Sequence, residues 1–170
     1  SDCNSLADIH YASKLVNIPA NAFQRTALSS FNFDGVESIG KTAFQGTKLE
    51  TISLPNVKDI SSYAFLGSSV KKISFGNAEI NVAEDAFSNC NDLTAICYVG
   101  SREQWKNLAI SASVSENVQI HCKADSVEPK VATCTETGLK EVGVCEVCGD
   151  HYSYADDENV LPVDTVNGHN

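Results

Sequence analysis

Three columns of apolar residues recur along this chain at one period of about 21 residues, and that period limits what the chain can fold into. "AF" dipeptides fall at Ala22-Phe23, Ala43-Phe44, Ala64-Phe65 and Ala86-Phe87, at spacings of 21, 21 and 22. A second column follows the pattern L-x-x-I-x-L. It reads Leu6/Ile9/Tyr11, Leu28/Phe31/Phe33, Leu49/Ile52/Leu54, Val70/Ile73/Phe75 and Leu93/Ile96/Tyr98. A third column, Ile18, Ile39, Ile60 and Val82, precedes each of the four phenylalanines by five residues.

One coil of this length cannot bury its own apolar residues, but stacked coils bury them against each other. The period predicts a repeat solenoid of about five coils of 21–23 residues, with short parallel strands. Strand side chains alternate faces, so Ile9 and Tyr11 point inward and His10 outward. The equivalent outward column is His10, Asn32, Ser53, Ser74 and Cys97, small and polar enough for a solvated sheet face. The phenylalanines of the "AF" segments form an aromatic spine, and their alanines leave room for close coil contact.

The stretch LETISLPNVKDISSYAF at 49–65 resembles the BspA-type leucine-rich repeat, and the likeness covers roughly residues 1–98. The following CYVGSREQWKNLAI…VQIHC, at 97–122, resembles the segment that closes such arrays in bacterial surface proteins. The resemblance implies a right-handed solenoid at the cell surface or secreted. It also implies adhesion to a protein or glycan of a host or neighbouring cell. The closing segment has its own physical logic. Ser101 is placed to N-cap a helix near 101–110, with Gln104 reaching back in a capping box. Trp105, Leu108 and Ala109 would share the face that covers the last coil. A final strand is expected at 117–122.

The opening SDCNSLADIHY (1–11) and the later SNCNDLTAICY (88–98) share residues at the same offsets. The chain therefore opens inside a coil, and the natural protein is expected to continue upstream. Cys3 and Cys90 occupy one slot in the first and last coils. Four strand steps of ~4.8 Å separate them by roughly 19 Å, too far for a disulfide. They read as small buried residues at a coil turn. Cys97 is expected to point outward and Cys122 inward, which disfavours a bond between them.

Charge and cysteine spacing change near Lys123. Residues 1–122 carry 12 acidic and 9 basic side chains; residues 123–170 carry 10 acidic and 3 basic. The sequence thus divides into a solenoid with its cap, 1–122, and a small acidic Cys-rich β module, 123–170. The net charge of −10 argues against a nucleic-acid partner, which calls for clustered Lys and Arg. No apolar run reaches the length of a membrane span, so no membrane insertion is expected.

The second segment holds Cys134, Cys145, Cys148, His151 and His169. It resembles small "ATCT…CxxCG…GH" modules of bacterial extracellular proteins. Cys-x-x-Cys-Gly has the form of a metal knuckle, whose tight turn lets two thiolates face one ion. Cys134, Cys145 and Cys148, with His169 or His151, would complete a Cys3His zinc site. A zinc or disulfide staple is physically expected in a module this small. The alternative is one disulfide, Cys134 with Cys145 or Cys148, leaving an odd thiol. A thioredoxin-like role needs a following helix, and Gly149 and HYSY argue against one. Asp156-Asp157-Glu158 lacks the ligand alternation of a calcium loop and reads as solvated.

There is no nucleophile elbow and no phosphate-binding glycine loop, so no enzyme is expected. Asp8 and His10 share a strand face, where a solvated pair is the ordinary outcome. The candidate contact surface is the outward strand face and its margin: His10, Asn32, Glu50, Thr51, Lys71 and Lys72.

Overall fold

The computed structural model describes residues 8–9, 15–127, 138–139, 143–154 and 160–161, with side chains described over 15–126 and 144–150. Each L-x-x-I-x-L segment makes a short strand. Thr51–Leu54, Lys72–Phe75, Ala95–Tyr98 and Gln119–Cys122 lie side by side in that order, all parallel. Earlier in the chain, Ser30–Phe31 pairs in parallel with Asp8–Ile9. The isoleucine column builds a second parallel sheet from Asn17–Ile18, Ser38–Ile39, Asp59–Ile60 and Asn81–Val82. The "AF" turns bond coil to coil as well. The N–H groups of Phe23, Phe44 and Phe65 donate to the carbonyls of Ala43, Ala64 and Ala86 at 2.8, 2.7 and 2.8 Å. The result is the expected β-solenoid of about five coils.

Alternation decides which residues fill the centre. Ile52, Leu54, Ile73, Phe75, Ile96 and Tyr98 are buried, while Thr51 and Ser53 are exposed. Burying each large apolar side chain is worth roughly 1.5–3 kcal/mol, which no isolated coil could collect. The phenylalanine spine is present. Ring centroids of Phe23–Phe44, Phe44–Phe65 and Phe65–Phe87 are 5.1, 5.2 and 4.9 Å apart, with interplanar angles of 23°, 8° and 3°. Ala43, Ala64 and Ala86 are buried beside it, but Ala22 at the first of these turns is exposed.

A fourth column escapes a purely apolar reading. Thr26, Thr47, Ser68 and Cys90 are buried, two or three residues before Leu28, Leu49, Val70 and Leu93, the first residues of the leucine-column segments. Thr26 and Thr47 donate through Oγ1 to the carbonyls of Phe23 and Phe44 at 2.9 Å. Cys90 Sγ lies 3.2 Å from the carbonyl of Phe65 and 3.4 Å from Ser68 Oγ. Cys90 is thus a small buried residue at a coil turn, as expected, and burial raises its thiol pKa. Cys3 lies outside the described residues.

The array is closed by the expected capping device. Ser101 accepts from the Gln104 N–H at 3.1 Å, and Gln104 Oε1 accepts from the Ser101 N–H at 2.8 Å. The helix runs Arg102–Asn107 and buries Trp105 against Tyr98, ring centroids 5.8 Å apart. It is shorter than expected. Leu108 turns extended at ψ 136°, and the chain re-enters a 3-10 turn at Ala109–Ala112. This rotates Ala109 out to solvent and turns Ile110 inward, so Trp105 and Ile110 form the buried face with Leu108 partly buried.

Candidate metal centre

Register along the parallel sheet sets up the site. Ser53 pairs with Ser74, Ser74 with Cys97, and Cys97 with His121. All four belong to the outward row, so Cys97 and His121 stand on adjacent strands on the same face. Their inward neighbours Ile96, Tyr98 and Cys122 join the solenoid core. Cys97 and Cys122 therefore face opposite sides and are not bonded to each other.

The row is solvated at Asn32 and Ser53, as expected, but not at its far end. Cys97 and His121 are 2% and 0% exposed. The cover is a hairpin: Gly143–Val144 pairs antiparallel with His151–Tyr152, and Ser126–Val127 pairs with the same second strand. Its loop is the Cys145-x-x-Cys148-Gly149 knuckle. Gly149 adopts φ +79° and donates its N–H to the Cys145 carbonyl at 2.8 Å, a left-handed turn that suits glycine. Cys145 and Val147 pack onto Cys97.

Polar contacts fix the knuckle on the sheet. The Gln119 amide donates to the Val144 carbonyl at 2.8 Å and accepts from the Glu146 N–H at 3.0 Å. Lys72 Nζ lies 3.1 Å from the Glu146 carbonyl and 3.5 Å from its carboxylate. Lys123 Nζ lies 3.3 Å from Asp150, whose carboxylate accepts from the Cys148 thiol at 3.0 Å.

Four side chains with metal-ligating atoms converge there. The ligand atoms of Cys97, His121, Cys145 and Cys148 all lie within 4.8 Å of one another. His121 Nδ1 is 3.8 Å from Cys97 Sγ and 3.5 Å from Cys148 Sγ. Burial lowers the His121 pKa, leaving a neutral imidazole at pH 7. Burial, and then the neighbouring sulfurs of Cys145 and Cys148, push the Cys97 thiol well above its usual range; burial also raises Cys148. The crowding sulfurs disfavour ionisation of Cys97, and a cation at the centre of the cluster would reverse that. The cluster can hold a metal ion.

Of the metal ligands expected from sequence, Cys145 and Cys148 are in this cluster; Cys134 and His169 lie outside the described residues, as does the side chain of His151. Cys97 and His121 were not expected there. Their signal was present in AICY (95–98) and QIHC (119–122), which align as parallel strands with Cys and His at the same outward position. The contact residues fall as follows. Asn32, Glu50 and Thr51 are exposed; Lys71 pairs with Glu50 at 2.9 Å; Lys72 is engaged by Glu146; His10 lies outside the described residues.

A groove of about 390 Å³ between the last coil and the cap is floored by Phe87, Ile110 and Val118. Its lining includes one carboxylate, Glu84, and no histidine. No helix among the described residues is long and apolar enough to cross a membrane.

Residues 16–132 match the BspA type leucine rich repeat region, in six copies. Neither a curated protein nor a solved structure matches the chain.

Proposed function

The chain belongs to the BspA-type leucine-rich repeat family, and from that premise we propose that it is a non-catalytic extracellular binding module of a bacterial surface or secreted protein. Its partner is a protein or glycan of a host or neighbouring cell. The supporting observation is the uncovered end of the outward strand face. Thr51 and Ser53 are exposed there, with Glu50 beside them and Asn32 one coil earlier. The far end of the same sheet is occupied by the hairpin, so contact is confined to the earlier coils. Zinc is the cofactor in this reading, in a structural role.

The test is a screen of matrix proteins and a glycan array against residues 1–170, repeated with Thr51→Arg and Ser53→Arg. Binding that falls at least tenfold in the variants supports the reading; binding that is unchanged removes this face from it.

A spacer role is the second reading, and one feature favours it. Several polar side chains are spent between coils rather than offered outward. Ser38 donates to Asn17 at 2.7 Å, Asn81 to Asp59 at 2.8 Å, and Lys58 pairs with Glu37 at 2.8 Å. A screen that returns no ligand at all would favour the spacer.

A further inference from the structure

We propose that Cys97, His121, Cys145 and Cys148 hold one structural zinc ion, which clips the hairpin 143–154 across the outward face of the last two solenoid strands. The proposal deepens the zinc clause of the reading above and does not depend on any ligand for the exposed strands.

Geometry carries it. In a tetrahedral site with Zn–S of about 2.3 Å and Zn–N of about 2.0–2.1 Å, the nitrogen sits about 3.5 Å from each sulfur and the sulfurs about 3.8 Å apart. His121 Nδ1 stands 3.5 and 3.8 Å from two of the sulfurs, and no pair of ligand atoms exceeds 4.8 Å. The four atoms are close enough together to share one ion.

Donor chemistry selects the metal. Three thiols and an imidazole suit zinc, whereas calcium and magnesium take oxygen. Four protein ligands leave no position for water or substrate, so the ion is structural rather than catalytic. Outer groups fit as well. Lys123 pairs with Asp150, placing a cation beside a centre that would carry one excess negative charge, and the thiol proton that Cys148 shares with Asp150 in the metal-free cluster is released when the ion binds.

The ligands divide two and two. Cys97 and His121 come from adjacent strands of the solenoid, and Cys145 and Cys148 from the knuckle. Apart from the ion, the knuckle is held by the Gln119 amide, the exposed pairs of Lys72 and Lys123, and the small apolar patch of Cys97, Cys145 and Val147. Exposed ion pairs are weak, and the pairing of Ser126–Val127 with 151–154 holds the hairpin's second strand but not its loop, so seating of the knuckle on Cys97 and His121 depends on the metal.

The experiment is metal analysis of the purified full chain, with mass spectrometry of alkylated thiols before and after chelation. The expected result is one zinc per chain, with Cys97, Cys145 and Cys148 protected until chelator is added. Cys97→Ser and His121→Ala should each lose at least tenfold in zinc affinity. Cys134→Ser, His169→Ala and Cys122→Ser should retain one equivalent. Circular dichroism of each variant separates lost metal from lost fold. If Cys97→Ser does not fold, chelator-dependent protection of Cys97 in the unaltered chain decides the question. Zinc retained in folded Cys97→Ser but lost in Cys134→Ser would overturn the proposal, as would absence of metal with the cluster thiols free or oxidised. None of these outcomes bears on the Thr51→Arg and Ser53→Arg binding screen.

Discussion

At the scale of single residues, the coil turns impose backbone demands that composition does not announce. Asn21, Thr42 and Tyr63 occupy one turn position at φ +59°, +56° and +60°; Arg25, Gly46, Gly67 and Asn89 occupy another at +56° to +68°. Tyr63 is 38% exposed, so its side chain gains little to offset the left-handed backbone. Tyr63→Asn should therefore stabilise the chain by roughly 1 kcal/mol in a urea titration. Gly76 is small for a different reason. A Cβ there would lie 2.6 Å from the Pro55 backbone one coil earlier, so Gly76→Ala should destabilise measurably. Cys90 supplies a pH prediction. Burial raises its thiol pKa, so the folded state holds that proton more tightly than the unfolded chain. Its contribution to stability is complete below the ordinary value of 9.0 and falls as pH rises through the raised value. Denaturation at pH 8 and pH 10 should show a smaller loss for Cys90→Ser than for the unaltered chain.

At the scale of elements, most of the solenoid was legible because its period is written three times over. The leucine column, the isoleucine column and the "AF" turns each map to one hydrogen-bonded side of the coil. The capping box at Ser101 was legible from spacing alone, since Ser and Gln three apart leave little choice of geometry. What was not legible was where the helix would stop. Trp105, Leu108 and Ala109 share a face of an ideal helix, but Ile110 has more apolar surface to bury than Ala109. The chain breaks at Leu108 to bury it. Ser101→Ala should cost about 1 kcal/mol. Phe65→Ala removes the middle of a stack 5.2 and 4.9 Å from its neighbours and should cost roughly 3–5 kcal/mol. Both are read by thermal or urea unfolding.

At the scale of the whole molecule, the array end and the Cys-rich segment share one site. Sequence alone identified the knuckle, because Cys-x-x-Cys-Gly is local. It could not find Cys97 and His121, which meet the knuckle only after two strands 24 residues apart take up parallel register and a later segment folds back. Alternation alone places Cys97 in an exposed polar column, since it assigns a direction and not what lies beyond it. Chelation should release the knuckle before it unfolds the coils, giving protease cleavage within 143–150 while the sheet signal in circular dichroism persists. The most direct measurement is X-ray absorption at the zinc edge of the intact protein. The expected shell is three sulfurs at about 2.3 Å and one nitrogen at about 2.0 Å. An oxygen-dominated shell or a four-sulfur shell would contradict it.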